Sequence, residues 1–550
     1  MKKSKRIIAL VIGVLMCLSL LAACKTSGTP TPSTSSNPPS SPSASNPASP
    51  SGSPSPVIPV APPEGDIKVA EHLNVLIQAT GIAVLNPHNP SGTGGAVNWA
   101  YRNYLDTLTY EEPSTLEILP CLAERWETDD YITFKFYLRN DAYFHNGEKF
   151  TADDVIFTHY ASQTWGMGVS SYDVWNAIET ITAPDDYTVI FKLKNMDVEF
   201  LSKIGSAYCC IVNREAVEAD DVKGYLIGTG AYKCVSISSM DRVEFERNDD
   251  YWGELPLTKT QTWRTVPEAS TRTIMMQNGE ADVCFDIAEG DLQMFSENKD
   301  KFVMDSNVSF NPQAIQFNMT DPLCADLNFR MAVVHAIDRE EVSLIARGEL
   351  GGVAESEGTM WGYRGIYRNR NLPFLGYDLD KAKEYLAKTA YNGEEVQVLT
   401  SGIAFVKAAE VIQQQLNRIG IKVKVETMDM AGFFAATTWE ENKAQILLWS
   451  QTLNQRTSSF RNNFYPGVTN NRSRYDNPEL NELMDKDPTV PPGPEKEALC
   501  YRMQEIIAED IPSVNLYYTV SNFVGAKGFG GVKPAATLWD LRYMYKEVDA

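Results

Sequence analysis

Four of the aromatic side chains in this 550-residue chain are candidates for holding a small molecule by contact. Trp361, Trp439, Trp449 and Tyr518 each combine a large apolar face with a polar edge, and such rings can stack on the faces of a sugar. Because a tryptophan more often packs in a core than against a ligand, core packing is the alternative for each ring. Their chemistry would be binding by stacking.

Residues that could carry covalent or metal chemistry do not form a motif. The histidines have neither HxH nor HExxH spacing; they are His72, His88, His145, His159 and His335. No GxSxG elbow, Walker loop or dinucleotide fingerprint is present. Among 71 acidic residues, adjacent pairs such as Asp129-Asp130 are expected by chance. We therefore predict no enzyme activity, no cofactor and no metal site, with a tethered surface hydrolase using two carboxylates as the alternative of another class.

The N-terminus has the pattern of an export signal. Basic residues occupy positions 2, 3, 5 and 6, and residues 7–23 carry no charge, a stretch too short to be a first-choice spanning helix. The sequence LAAC ends at Cys24 and resembles the lipobox of bacterial lipoproteins. The resemblance implies a signal peptide over 1–23, a diacylglyceryl thioether on Cys24 and a location on the extracellular face of the bacterial cytoplasmic membrane. The alternative is an ordinary secretory leader with an incidental cysteine.

A tether and an acidic body follow the leader. Residues 25–63 contain 12 Pro and 12 Ser and no aromatic residue. Such a segment cannot bury enough apolar surface to offset its chain entropy, so residues 24–65 are predicted to be a lipidated cysteine and a disordered tether. The formal net charge of the chain is −22, which repels phosphate. We expect no nucleic-acid partner and contact with the membrane through the lipid anchor alone.

Seven cysteines remain beyond Cys24, and none forms a CxxC pair. Zinc ribbons and thioredoxin-type redox sites are therefore unsupported. An exported chain could carry disulfides, for example through Cys209 or Cys210, but the sequence does not assign them. Buried free thiols are at least as well supported.

Hydrophobic periodicity predicts helices and strands intermixed from about residue 66. Alternation over 132–138 predicts a half-buried strand, Asn146-Gly147 supplies a tight turn, and Thr151 with Asp154 resembles a capping box for a helix over 152–164. Further strands are predicted at 73–77, 188–193, 231–236, 242–247, 283–287, 396–400, 422–426 and 445–448, and helices at 98–108, 271–279, 329–337, 379–390, 406–419, 478–486 and 494–508. This mixture indicates α/β layers.

Several segments together resemble solute-binding protein family 5 of ABC importers, which includes peptide- and nickel-binding proteins. The strongest runs over some 34 residues from LAERWE, which begins at Leu122, to FHNGEKFTADDV, which ends at Val155. The others are GTGAYK (228–233), RNDDYWG (247–253), FRMAVVHAIDR (329–339) and YDLDKA (377–382). The resemblance covers about residues 70 to 545, and the order and spacing of its segments argue against chance agreement.

The family implies an α/β, two-lobed periplasmic-binding-protein type II fold of the large cluster C architecture. By resemblance, lobe I holds residues 66–315 with an inserted subdomain near 101–204, lobe II holds residues 316–518, and residues 519–550 return to lobe I. The candidates for the two chain crossings are Phe317-Asn318 and Tyr517-Tyr518-Thr519. Ligand would be enclosed when the lobes close.

The family also implies where ligand would sit. The lobe I lining would be Ser91, Gly92 and Thr93, and the lobe II lining would be Leu448, Trp449, Ser450, Thr452 and Asn454. The peptide binders place an aspartate three residues after the tryptophan to hold the ammonium of the peptide, and this chain has Thr452 there. Since an enclosed ammonium without a carboxylate costs several kcal/mol, peptide binding through the usual anchor is in doubt.

The function implied by the resemblance is that of a lipid-anchored receptor. It would capture an oligopeptide between its lobes, as a monomer, and deliver it to the subunits of an ABC permease. An oligosaccharide or a nickel chelate is the alternative solute on the same scaffold. A receptor that passes its solute to a sensor is not separable from a transport receptor by sequence.

Overall fold

The computed structural model describes most of the chain beyond residue 66. The described ranges are 67–78, 85–89, 95–112, 117–165, 172–238, 241–356, 367–453, 456–534 and 539–548. The predictions for residues 1–65, and those for Cys24, Ser91, Gly92, Thr93, Trp361 and Asn454, lie outside the described residues.

Helices and strands alternate along the described residues. The strands are β1 (His72–Ile77), β2 (Thr109–Glu111), β3 (Ile118–Pro120), β4 (Ala123–Glu127), β5 (Thr133–Leu138), β6 (Ile178–Asp185), β7 (Thr188–Leu193), β8 (Tyr232–Ser238), β9 (Arg242–Arg247), β10 (Thr260–Thr265), β11 (Val283–Phe285), β12 (Phe302–Phe317), β13 (Gly352–Ala354), β14 (Glu395–Thr400), β15 (Lys422–Thr427), β16 (Ile446–Ser450), β17 (Ser513–Ala526), β18 (Phe529–Gly530), β19 (Lys533–Pro534), β20 (Trp539–Asp540) and β21 (Tyr545–Lys546).

The α-helices are α1 (Gly95–Tyr104), α2 (Ala152–Trp165), α3 (Tyr172–Asn176), α4 (Phe200–Ile204), α5 (Arg214–Ala219), α6 (Ala269–Gln277), α7 (Leu292–Glu297), α8 (Leu327–Ala336), α9 (Arg339–Arg347), α10 (Leu379–Leu386), α11 (Ile403–Asn417), α12 (Met430–Ala436), α13 (Ser458–Phe464), α14 (Pro478–Lys486) and α15 (Pro494–Asp510). Short 3₁₀ turns cover Ala207–Cys209, Gly224–Leu226, Glu289–Asp291 and Asp487–Thr489. The prediction of mixed α/β structure is confirmed.

One large mixed sheet contains two groups of parallel strands, each next to its own core. β1 is parallel to both β10 and β11, and β14 is parallel to both β15 and β16. Because α11 connects β14 to β15 and α12 connects β15 to β16, the second group has the crossover connections that parallel strands require. Separate hydrophobic clusters pack against the two groups, one containing Trp263 and the other containing Ile412. This is the two-lobed α/β fold that the family resemblance implies.

Two long strands, β12 and β17, join the groups. Residues 302–308 of β12 pair with 520–526 of β17 beside β11, whereas residues 312–316 pair with 513–518 beside β16. The pairing register shifts between Val308 and Pro312. Proline cannot donate to a ladder, which is one reason for a break there. Neither long strand was predicted from the sequence, which marked only 317–318 and 517–519 as chain crossings.

A small antiparallel sheet of order β4-β5-β7-β6 lies within residues 123–193. The period-two pattern of β5 buries Phe134, Phe136 and Leu138 in a cluster that also contains Trp175 and Phe200. The predicted Asn146-Gly147 turn is present, with φ of +88° at the glycine. The Thr151 N–H donates to the Asp154 carboxylate at 3.0 Å, which is the reciprocal half of a capping box. Local signals therefore set this part of the fold.

Helix α1 covers 95–104 instead of the predicted 98–108, and a later segment uses the carbonyl of its last residue. The Tyr104 carbonyl accepts a hydrogen bond from the Gly230 N–H at 3.1 Å. A Cβ at Gly228 would lie 1.8 Å from the same oxygen, so only glycine allows this approach. The two glycines of the GTGAYK segment thus hold the chain against the end of α1.

Candidate functional site

The predicted lobe II lining begins on β16, next to the point where β12 changes partners. Ser450 pairs with Gln313 of β12, and the Gln451 N–H donates to the Pro312 carbonyl at 2.9 Å. Leu448 is fully buried in the core of this group of strands, whereas Ser450 is partly exposed. The segment therefore leaves the sheet beside the junction of the two halves, at the carboxyl ends of the parallel strands, where α/β proteins bind ligands.

Trp449 belongs to a cluster of four rings, which we call the ring cluster: Phe405, Phe433, Phe434 and Trp449. The centroid of the Trp449 ring lies 4.6 Å from Phe405 and 4.8 Å from Phe433. Phe434 packs edge-on against Trp449 and is 41% exposed. Because Trp449 is only partly buried, it both packs in this half of the molecule and reaches its surface. The two alternatives weighed for this residue, packing and ligand contact, are compatible. Trp439, in the turn between α12 and β16, is also partly buried.

Thr452 has an exposed side chain on a backbone that is held at both polar groups. Its N–H donates to Asn463 Oδ1 at 3.2 Å, and its carbonyl accepts from Asn463 Nδ2 at 2.8 Å. Asn463 lies in α13 and is buried. An exposed side chain on a fixed backbone has the properties of a ligand-facing position.

Tyr518 is buried in this structure, and its hydroxyl is used by a carboxylate. The hydroxyl donates to Glu355 Oε2 at 2.5 Å, and Arg368 Nη2 lies 3.2 Å from each oxygen of the same carboxylate. The side chains of Glu355 and Arg368 are 2% and 3% exposed. Burial and the negative charge of Glu355 raise the pKa of Tyr518 well above its usual value. The ring considered for sugar stacking thus anchors a buried ion pair beside the strand junction.

Sequence reasoning missed this ion pair. Its members are 13 residues apart in the chain, and Tyr518 is 163 residues from Glu355. β13 brings them together, because Gly352–Ala354 pairs with residues 517–519 of β17. No local sequence signal marks a pairing of that range.

A second feature absent from the predictions is a polar contact between α4 and α13. The Thr457 N–H donates to Glu199 Oε1 at 2.7 Å, and the Ser458 N–H lies 3.5 Å from the same oxygen. Arg456 donates to the Ser202 hydroxyl at 2.9 Å and to the Ser202 carbonyl at 3.1 Å. We call Glu199, Ser202, Arg456, Thr457 and Ser458 the cross-lobe cluster, after the lobes to which residues 101–204 and 316–518 are expected to belong.

Charges around Glu199 favour its ionised form. Burial alone would raise its pKa, but Lys203, the bond from Ser458 and the positive charges of Arg456 and Lys496 together lower it. Lys203 Nζ lies 3.6 Å from Glu199 Oε2. The carboxylate is therefore charged at neutral pH, and hydrogen bonds to a charged acceptor are the stronger kind.

The described residues contain no grouping of three or more His, Cys, Asp or Glu side chains that could hold a metal ion. The cysteines at 121, 209, 210, 234, 284, 324 and 500 carry free thiols, and all but Cys234 are buried. Burial raises the pKa of the Cys121 and Cys209 thiols to about 12. The buried thiols pack in the interior, and the seven cysteines form no disulfide with one another in this structure.

A two-lobed fold joined by a pair of long strands is the architecture expected of a solute-binding receptor. The family model for bacterial extracellular solute-binding proteins, family 5 Middle, matches residues 117–472, and the chain belongs to this family. The family expectation from the sequence is confirmed. The chain is a receptor of the extracellular or periplasmic side and not an enzyme, so the hydrolase alternative is set aside.

Three known proteins illustrate the likeness. The oligopeptide-binding protein AppA of Bacillus subtilis (strain 168) is 24% identical over 474 residues, which are 80% of this chain and 86% of that protein. The periplasmic binding protein DppA of Helicobacter pylori, in complex with the peptide STSA, has a TM-score of 0.70 and 25% identity, over 87% of this chain and 98% of that one. NikZ of Campylobacter jejuni, in complex with Ni(L-His), shares the fold with a TM-score of 0.71 and 19% identity, over 87% and 99%.

Among the described residues, none of the helices combines the length and the apolar character needed to cross a bilayer.

Proposed function

We propose that this protein is a lipid-anchored receptor that captures oligopeptides between its lobes and delivers them to an ABC permease. The observation that carries the peptide assignment is the likeness, over nearly the whole folded part, to a family member with a bound peptide. The permease partner and the monomeric state belong to the same proposal.

The geometry of residues 450–453 is consistent with binding through the backbone of an extended peptide. This segment follows a strand, and Asn463 fixes the backbone of Thr452. A fixed main chain can offer hydrogen bonds to a peptide main chain while tolerating many peptide side chains. Trp449 would add an apolar contact at the same edge.

The neutral side chain of Thr452 distinguishes this receptor from peptide binders that use an aspartate there. We expect peptides with a free amino terminus and their N-acetylated forms to bind with similar affinity, because no carboxylate at 452 rewards the ammonium. Thr452→Asp should raise the affinity for free peptides about tenfold, as a charge-assisted bond replaces a neutral contact. Isothermal titration measures both forms of each peptide.

Thr452→Asn is the matched control, since asparagine has the size of aspartate without its charge. A gain that appears in both variants, or in neither, would contradict the electrostatic explanation. A gain for acetylated peptides as large as that for free peptides would contradict it as well.

A thermal-shift screen of the full chain tests the solute class. Binding to the folded state alone raises its melting temperature, so the solute that stabilises the protein is identified directly. We expect stabilisation by di- to nonapeptides and none by cello- or xylo-oligosaccharides or nickel–histidine. Stabilisation by an oligosaccharide, or by nickel–histidine as in the NikZ complex, would replace the peptide with that solute.

We also propose that the lobes meet where β12 and β17 change partners. The register shift between Val308 and Pro312 and the change of pairing after Tyr518 support crossings near residues 309–311 and 519. The first lies earlier than the expected boundary after residue 315, and the second agrees with the expected return at 519.

Anchoring through Cys24 is tested by Cys24→Ser, which should move the protein from the membrane fraction to the medium.

A further inference from the structure

We propose that the cross-lobe cluster is a latch, in which Glu199 engages the backbone at the start of α13 when the lobes close and thereby positions the ligand-lining segment. The inference rests on the proposed function, because it assumes that the two sides of the cluster belong to lobes that move. It assigns a positioning role to Glu199 and Arg456.

The two sides of the latch belong to separate cores. Phe200, Leu201 and Ile204 of α4 are buried with the small sheet of residues 123–193. Phe460 and Phe464 of α13 are buried in a different cluster, together with α14 and α15. The contact between these cores is made by polar and charged groups, which water can replace when the surfaces part. Polar interfaces of this kind are typical of domains that move relative to each other.

The latch has two independent connections of complementary charge. Glu199 receives the Thr457 N–H, and Arg456 reaches in the opposite direction to Ser202. Arg456 also lies 3.9 Å from Glu111. Each charged group of the latch therefore has an opposite charge nearby, which is Lys203 for Glu199 and Glu111 for Arg456.

The latch is connected to the ligand-lining segment through one helix. The Thr457 hydroxyl donates to Asp487 at 2.6 Å, and Asp487 pairs with the buried Lys496 at 2.7 Å, which fixes the start of α13 within its own core. Two turns later, Asn463 of the same helix holds both backbone groups of Thr452. A force that seats the start of α13 against Glu199 is thus transmitted to the backbone on which the ligand would lie.

Amide hydrogen exchange of the full chain, with no solute added, tests the latch without depending on ligand identity. The Thr457 amide is protected by its bond to Glu199, so Glu199→Ala should accelerate its exchange about tenfold or more. Arg456→Met should also accelerate exchange at Thr457, because both connections hold the same two surfaces together. This variant leaves the hydrogen bond from the Thr457 amide to Glu199 in place. The Thr452 amide should exchange faster in both variants.

Glu218→Ala is the matched control: Glu218 is exposed and pairs with Arg214 within its own helix, so exchange at Thr452 and Thr457 should not change. If amide exchange accelerated in Glu199→Ala but not in Arg456→Met, Glu199 would act only as a local N-terminal cap of α13, and the latch would be overturned. Unchanged exchange in both variants would overturn it too. Amides of β5 and α11 verify that each variant is folded. A chain that binds no peptide but passes this test would refute the proposed function and leave the latch standing.

Discussion

Removing Arg368 should destabilise the strand junction, where β13 pairs with β17, far more than removing an exposed arginine. Arg368 faces the Glu355 carboxylate, and both side chains are almost completely buried. In Arg368→Met the carboxylate stays buried without its guanidinium, and breaking such a pair from one side costs about 3–5 kcal/mol. The pair also holds the Tyr518 hydroxyl beside the strand junction.

Urea unfolding, monitored by amide exchange in β17, measures the effect. Local exchange is needed because a two-lobed chain need not unfold in one step. With a slope of about 3 kcal/mol per molar urea, the loss corresponds to a fall of about 1 M or more in the unfolding midpoint. Arg502→Met is the matched control: Arg502 contacts Glu479, Glu505 and Glu509 but is 37% exposed, so water replaces these contacts and the midpoint should hardly move.

The double variant Glu355→Leu/Arg368→Met separates a buried charge from lost packing. Removing both charges should recover part of the stability, because no carboxylate is then left buried without the Arg368 guanidinium. The recovery is partial since the Tyr518 hydroxyl loses its acceptor. The argument from burial would be refuted if Arg368→Met lowered the unfolding midpoint no more than Arg502→Met. It would also be refuted if the midpoint of the double variant were no higher than that of Arg368→Met.

Two further predictions concern the segment that meets the end of α1. Burial lowers the pKa of His145 to about 4, and its ring accepts the Gly228 N–H at 3.2 Å, so the unfolded chain takes up a proton first as the pH falls below 6.5. This residue's contribution to the free energy of unfolding therefore decreases between pH 6.5 and 4, by about 2–3 kcal/mol. His145→Gln should make the urea unfolding midpoint depend less on pH in that window. An equal pH dependence of the midpoint in the variant and the parent would contradict the assignment. Gly228→Ala should lower the melting temperature strongly because its Cβ would meet the Tyr104 carbonyl, whereas Gly147→Ala has open space and should cost about 1 kcal/mol for its positive φ; equal effects in calorimetry would refute the steric reason.

The parts of the fold that the sequence predicted are those with local causes. The alternation in β5, the glycine of the tight turn and the capping contact of Asp154 each depend on residues within four positions of one another. β12 and β17 lack such signals. Their residues 305–307 and 521–522 are polar, and pairing with a strand about 200 positions away, not an apolar pattern, makes them strands.

The structure describes Leu448, Trp449 and Ser450 on β16 and Thr452 just after it, beside the strand junction. The resemblance marked these residues as a ligand lining, and that role stays a prediction. The resemblance could not show that Tyr518 is committed to Glu355, nor that Phe405 and Phe434 complete the surroundings of Trp449. Those contacts depend on tertiary packing between elements that are distant in sequence.

The latch and the neutral residue at 452 have linked consequences for binding. A ligand can shift a receptor between open and closed states only by its differential affinity for them. If Glu199 and Arg456 supply part of the free energy of closure, less of it has to come from an anchor for the ammonium of the ligand, and Thr452 becomes compatible with useful affinity. The contribution must still be small enough for the empty receptor to open readily, since a latch that held the empty lobes permanently closed would exclude solute. Because the contact is made by polar groups, water can replace their hydrogen bonds when the lobes open, which keeps the net contribution of each bond small.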